Sequence, residues 1–309
     1  MANSNHTLPS APIAGELAAP AAETGRVEAR PLRFSFGRAL LYLFLILGAV
    51  VAIFPFFWMI TNSLMTLGET INRVWLPASP QFQNYIDAWN QADFARYFWN
   101  SVVITAVTCA GLLVTSVLAG YAFARIHFVG REVIFALFLA TMMIPESVTV
   151  IPSFLLVRGA IIPLPGGTWL NKLPALTVPF MANAFSIFLL RQFFAQVPNE
   201  LWDAARMDGA GHMVFLTQIV LPISRAPILT VLIFGFIGAW NAFMWPLLVT
   251  TNQTWRPLMV GLWNFMGDAG PQTNLLMAGA VITIIPILIM YFFTQKQFTE
   301  GIATTGLKG

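Results

Sequence analysis

Six long apolar stretches, separated by polar connectors, dominate the chain. They run over about residues 40–64, 101–124, 133–157, 174–194, 228–250 and 275–293. Crossing the hydrocarbon core of a bilayer takes roughly 20 residues of helix, and each stretch approaches or exceeds that length. The runs are continuous, whereas the strands of a membrane β-barrel alternate apolar and polar positions. In lipid every backbone amide must be paired within its own segment or in a closed barrel, so the pattern predicts helices. The third stretch is interrupted by Pro145, Glu146 and Pro152. Residues 1–33 are rich in Ala, Pro and small polar residues and show no apolar period, which predicts a disordered cytoplasmic tail. They lack the short apolar core and small-residue cleavage site of a signal peptide. Residues 34–309 then form one transmembrane domain of six helices, an all-α integral membrane fold.

Composition agrees. The chain is 57% hydrophobic and 9% charged, against about 25% charged residues in soluble domains. Its mean hydropathy is +0.73. A formal net charge of +3 from scattered basic residues gives no footprint for nucleic acid. Placing the N-terminus in the cytoplasm puts eleven of the 16 Lys and Arg residues inside, the sense favoured by the positive-inside rule. Both termini are then cytoplasmic. The single Cys109 forms no internal disulfide and leaves the redox compartment unread. Small residues recur at a spacing of four at Ser116, Gly120 and Ala124, at Gly235 with Ala239, and at Gly238 with Ala242. Such positions let helices approach closely, within the bundle or between subunits.

One connector is unusual. Residues 195–224 form a long polar segment on the side predicted to be cytoplasmic. Pro198 and Asn199 suit a helix start, with Glu200 and Asp203 near its positive end. Gly209 or Gly211 suits a left-handed stop. The result is an exposed helix of two to three turns. Ala204 and Ala205 offer a smooth face, and Leu201 and Trp202 are apolar and partly exposed, so a partner is expected to cover it. A second piece, Phe215 to Val220, ends at Leu221-Pro222.

The run Asp203-Ala204-Ala205, three residues, Gly209, nine residues, Ile219, one residue, Leu221-Pro222 resembles the EAA loop of binding-protein-dependent ABC importer permeases. The first position is Asp where the family has Glu. Asn84-Tyr85, the segment Phe94 to Asn100-Ser101, Tyr121-Ala-Phe-Ala-Arg125, Leu189-Leu-Arg-Gln-Phe193, Trp240-Asn241 and Trp245-Pro246 are similar to its carbohydrate branch, as is the closing Gly301 to Gly309. Within that branch the chain looks like the smaller permease subunit of maltose-type and glycerol-phosphate-type systems. The resemblance implies a type I ABC importer permease in the bacterial inner membrane, working as a heterodimer with a second permease. It also implies two ATPase subunits, an extracytoplasmic solute-binding protein, and a coupling helix that docks on the ATPase. Glu200, Leu201, Asp203, Ala204, Ala205, Arg206, Asp208, Gly209, Ile219, Leu221 and Pro222 would form the docking segment.

A phosphate-cradling loop needs Gly-x-x-x-x-Gly-Lys followed by Ser or Thr. Lys172, Lys296 and Lys308 are followed by Leu, Gln and Gly. The chain is therefore read as non-hydrolysing, with no cofactor of its own and with ATP and Mg used by the partner ATPase. Glu146 is the only acidic residue within a predicted span. It is read either as a lining group near the solute path or as a carboxyl bonded to a neighbouring helix or subunit. Asn183 and Asn241 offer amides for sugar hydroxyls, and Trp240 and Trp245 offer flat faces for sugar C–H groups. Such residues are also ordinary at helix ends. In the outside loop, Phe82, Tyr85, Trp89, Phe94, Tyr97 and Phe98 suit either a surface contacting the binding protein or an interfacial helix. An ion-coupled carrier is the alternative; it would show inverted repeats, and none is visible. A permease for a non-carbohydrate solute is a second alternative.

Overall fold

A computed structural model describes residues 36–91, 93–267 and 270–306, without the side chains of Arg38 and residues 296–306. The tail expected over residues 1–33 lies outside the described residues. Contacts divide the chain into two units, residues 1–52 and 53–309. The described part of the first unit is the opening of helix α1 (Phe36–Ser63), whose described side chains up to Ala52 are all exposed.

In the second unit the rest of α1 leads to α2 (Leu67–Ile71), α3 (Gln83–Gln91), α4 (Phe94–Arg125), α5 (Arg131–Thr141) and α6 (Glu146–Arg158). Next come α7 (Leu173–Thr177) with a 3-10 turn to Phe180, α8 (Ala184–Gln196), α9 (Asn199–Met207) and α10 (His212–Phe215). A π-helical turn over Leu216–Val220 continues into α11 (Leu221–Ile223), followed by α12 (Arg225–Trp240), α13 (Met244–Val249), α14 (Leu258–Leu262) and α15 (Thr273–Gly306). Strands β1 (Met266–Gly267) and β2 (Gly270–Pro271) pair antiparallel in a small hairpin.

Among the described residues, three helices are long and apolar enough to cross a bilayer: Ala39–Ser63 of α1, all of α4, and Thr273–Gln295 of α15. Three further candidates are bent pairs: α5 with α6 at 102°, α7 and its 3-10 turn with α8 at 42°, and the segment His212–Ile223 with α12 at 82°. The number of spans reaches six when each bent pair is taken as one. The break expected in the third stretch is sharper than a kink. Pro145 caps α6 in an extended conformation; lacking an N–H and disfavouring the helical region for Ile144, it stops α5 from running on into α6. The fifth stretch also differs from expectation. It stops at Trp240, where Asn241 Nδ2 donates to Ile237 O at 3.0 Å and its backbone N–H also reaches that carbonyl. A separate short helix, α13, then begins at Met244.

Helix α4 packs along both α8 and α12. The small-residue seam on α4 faces α8. A Cβ on Gly120 would lie 3.1 Å from Leu190 Cβ and 3.3 Å from the backbone nitrogen of Arg191. This is close helix approach within the bundle, the gain that small residues permit in lipid. On the second seam, Gly235 of α12 abuts Leu112 of α4.

The α4 helix begins seven residues before the apolar run. Phe94 and Tyr97 are fully buried, so these two outside-loop aromatics belong to the core and offer nothing to a partner; Phe82, Ile86 and Trp89 remain exposed. Buried amides tie the outside connectors to the bundle. Asn84 Nδ2 donates to Ser63 O and Met65 O, both at 2.8 Å, and its Oδ1 accepts from Asn274 Nδ2 at 3.0 Å. Asn100 Nδ2 donates to Thr254 O and Arg256 O, and Ser101 Oγ accepts from the Leu258 N–H at 2.7 Å. Each pairs backbone groups that no helix satisfies.

Candidate functional site

The polar connector between α8 and α12 folds as a short exposed helix held at both ends. Pro198 precedes α9 with φ −56° and ψ 142°, suited to a residue that cannot donate. At the other end Gly209 adopts φ +80°. Its N–H donates to Arg206 O at 3.0 Å and the Ala210 N–H donates to Ala205 O at 2.9 Å. This pair of bonds is the Schellman stop, and glycine supplies its left-handed residue at no steric cost. Of the two glycines proposed from the sequence, Gly209 ends the helix, and Gly211 caps α10 in an extended conformation.

The helix has two distinct faces. Ala205 is 6% exposed and sits in a core cluster with Tyr121, Leu190, Phe194, Val197, Phe215 and Val220; Trp202 and Ala210 pack against the same cluster. Trp202 stacks on His212 at 4.4 Å between centroids and 15° between planes, and meets Phe215 edge-on at 5.0 Å. His212 Nδ1 lies 2.9 Å from the Tyr121 hydroxyl of α4. Opposite, Glu200, Leu201, Asp203, Ala204, Met207 and Asp208 are exposed, Met207 to 83%. Ala204 and Ala205, expected on one smooth face, therefore point to opposite sides. Arg206 is exposed, its guanidinium 5.9 Å from the Trp202 ring. Ile219 and Leu221 pack against the core cluster, while Pro222 is exposed.

Arg125, the last residue of α4, grips the entrance to α9. Its Nε donates to Phe194 O at 2.8 Å and a terminal nitrogen donates to Asn199 Oδ1 at 2.7 Å. The other terminal nitrogen donates to Val197 O. One planar cation thus fills three acceptors at the end of α8 and the start of α9, the fork geometry that lysine cannot supply. The sequence marked Tyr121 and Arg125 only through resemblance. His212 gave no signal beyond its residue type, because its partners lie ten and 91 positions away.

At the other end of α8, about 20 Å away by helical rise, a cavity of about 570 Å³ opens. Glu146, Asn183 and Trp245 line it, together with Thr108, Ser186 and the rings of Phe180, Phe185, Phe234 and Phe243. Asn183 caps α8, its Oδ1 accepting from the Ser186 N–H at 3.1 Å. Trp245 Nε1 donates to Ala175 O at 2.9 Å, leaving part of its ring to the wall. Three of the five path candidates therefore meet. Trp240 and Asn241 do not join them. Trp240 is 2% exposed, donates to Thr283 O at 3.1 Å, and stacks on Phe236 in a separate cluster. Asn241 serves as the end cap of α12, outside the cavity lining.

Residues 113–303 match the family described as binding-protein-dependent transport system inner membrane component. The arabinooligosaccharides transport system permease protein of Bacillus subtilis (strain 168) is 30% identical over 283 residues, covering 90% of this chain and 98% of that one. The sn-glycerol-3-phosphate transport system permease protein of Brucella abortus (strain 2308) is 30% identical, covering 90% of this chain and 99% of that protein. The lactose transport system permease protein of Rhizobium radiobacter is 31% identical, covering 84% and 93%. Among solved structures, a chain of a bacterial ABC transporter that imports the acidic polysaccharide alginate superposes with a TM-score of 0.74 at 24% identity, over 84% of this chain and 95% of that one. The chain belongs to the binding-protein-dependent permease family, and it is a multi-pass inner-membrane component. That membership separates it from ion-coupled carriers.

Proposed function

We propose that this chain is one permease of an ATP-driven importer that takes a sugar or sugar-like solute from an extracytoplasmic binding protein into the cytoplasm. In this reading six spans, counting each bent pair once, carry the path, and a second permease completes it. Two ATPase subunits bind and hydrolyse ATP with Mg; this chain binds neither. The named relatives, permeases for arabinooligosaccharides, glycerol phosphate and lactose, support a carbohydrate or polyol solute.

The observation that carries the reading is the two-faced α9. Its inner face is locked by Trp202, Ala205 and the Schellman stop, while Leu201, Ala204 and Met207 stand exposed at helical spacing. A braced helix that presents an apolar stripe to the cytosol is built to receive a partner. Glu200, Asp203 and Asp208 flank the stripe with acceptors for basic groups on that partner. The solute path runs through the cavity near Glu146, Asn183 and Trp245.

Ala204→Arg and Gly209→Asp test the docking role. The tagged chain is purified with its co-purifying subunits and placed in proteoliposomes with the binding protein. Wild type is expected to retain the ATPase subunits and couple hydrolysis to uptake, and both variants to insert normally yet lose most coupled uptake. Normal coupled uptake by both variants would remove α9 from the docking role.

A further inference from the structure

We propose that the cavity beside α8 admits an uncharged or amino-bearing saccharide, and that Glu146 is the specificity-determining residue that turns away phosphorylated and carboxylated ones. The inference rests on the reading of this cavity as the solute path and names the class of solute.

Among the residues lining the cavity, Glu146 alone is ionisable. Lys, Arg and His are absent from the wall, so the described residues provide no counter-charge for an anion. Glu146 is exposed at the first position of α6, and no side-chain hydrogen bond or ion pair engages its carboxylate among the described residues. A carboxylate left unpaired at membrane depth is costly, and such residues face a bundle interior or a watered cavity where they meet a partner. An ionised carboxylate only accepts hydrogen bonds. Its natural partners are hydroxyl and ammonium protons, which neutral and amino sugars present. A phosphate or a second carboxylate presents acceptors and a like charge, which the carboxylate repels at close range.

The remaining wall fits the same class. Phe180 meets Trp245 edge-on at 6.0 Å and Phe185 meets Phe234 edge-on at 5.9 Å, so two crossed aromatic pairs bound the space. Ring faces suit the C–H faces of a pyranose. Two polar groups on the wall also lack partners among the described residues. Asn183 commits its Oδ1 to the Ser186 N–H, while its amide nitrogen donates to nothing among the described residues. Thr108 lines the cavity, and its buried hydroxyl has no hydrogen-bond partner. A volume of about 570 Å³ lies within the roughly 300–1,000 Å³ usual for small-molecule sites.

The test uses the full chain with its co-purifying subunits in lipid nanodiscs. Tryptophan fluorescence is titrated with lactose, chitosan disaccharide and digalacturonate, and a Trp245→Phe preparation assigns the signal to the cavity. The expected result is lactose and chitosan disaccharide binding at least tenfold more tightly than digalacturonate. Glu146→Gln, nearly isosteric, should erase that discrimination, and Glu146→Lys should reverse it. The inference is overturned if digalacturonate binds as well as lactose, if no probe moves the Trp245 signal, or if Glu146→Gln leaves the order unchanged. The last result would mean that a group other than Glu146 sets the order. Solute-stimulated ATP hydrolysis by the same preparation reports separately on the permease reading. Stimulated hydrolysis without charge discrimination would sink this inference alone.

Discussion

The two ends of α8 are built on opposite plans. At the α9 end, polar groups are paired across elements. Arg125 fills three acceptors, Tyr121 meets His212, His212 stacks on Trp202, and Ala205 is sealed in the core. At the cavity end, helices are broken at Pro145 and Asn241, and Thr108, Glu146 and the Asn183 amide nitrogen lack partners among the described residues. At the first end the inner face of α9 is braced against α4 and α8. The second end keeps its unmet valences for something that arrives. The proposed function, docking at one end and solute at the other, would use this division.

The largest expected effect comes from attacking the sealed face. Ala205→Arg forces a charge into an apolar cluster, at a cost of about 4 kcal/mol or more. The outer face of α9 would lose its orientation even though no exposed residue has changed. Hydrogen exchange over residues 195–224 should rise sharply while the long spans stay protected. Unchanged exchange would show that the core cluster does not hold α9.

Arg125→Ala is expected next. It leaves the Phe194 and Val197 carbonyls without their charge-assisted donor, at about 3 kcal/mol before relaxation. Protease cleavage between α8 and α9 should become faster. Arg125→Lys should recover only part of the loss, since one ammonium cannot reach three acceptors in a plane. Full rescue by lysine would reduce the clamp to a simple charge effect.

Tyr121→Phe is milder. It removes one hydroxyl and leaves His212 Nδ1 without its partner at 2.9 Å, at about 1 kcal/mol. Solute transported per ATP hydrolysed should fall while the ATPase subunits remain bound. A ratio equal to wild type would mean that α4 takes no part in moving α9.

These features differ in how far the chain's residues disclosed them. The extent of α9 was legible because its determinants are local: Pro198 at its start and Gly209 past its end. Which of Ala204 and Ala205 turns inward was not. Which way a short helix turns depends on Trp202 finding His212, and that stack forms only after the chain reverses beyond Gly211. Trp240 and Trp245 looked alike in sequence because hydropathy sums over a window. The break at Asn241 sends one indole to a carbonyl of α15 and the other to the cavity wall. The early start of α4 was hidden for a related reason. Asn100 reads as a connector residue, yet protein carbonyls satisfy its amide in place of water. Glu146 stood out at once, being the lone acid in an apolar run, but its neighbours across the cavity come from α4, α8 and α12.

The smallest effect lies on the connector after α1, where the cavity end does possess one local brace. Thr66 and Glu69 form a reciprocal cap on α2, with Thr66 N–H donating to Glu69 Oε2 at 2.8 Å. The Ala78 N–H donates to Glu69 Oε1 at 2.9 Å, which ties the loop back to the helix. These bonds hold the Glu69 carboxyl below its ordinary value of 4.5, the Thr66 N–H contributing most. A depressed folded value means stabilisation present above the ordinary carboxyl range and lost as pH falls through the folded value. Exchange at the Thr66 and Ala78 amides should therefore accelerate, beyond the intrinsic trend, as pH drops below the ordinary value of 4.5 and through the lower folded one. Glu69→Gln should exchange faster at neutral pH and show no such acid step, because a neutral amide neither accepts as strongly nor titrates. The carboxylate is solvent-exposed, so the effect should stay within this loop and leave α9 untouched. An acid step that persists in Glu69→Gln would assign it to another group. A step that spreads to residues 195–224 would mean that the two ends of α8 are not independently braced.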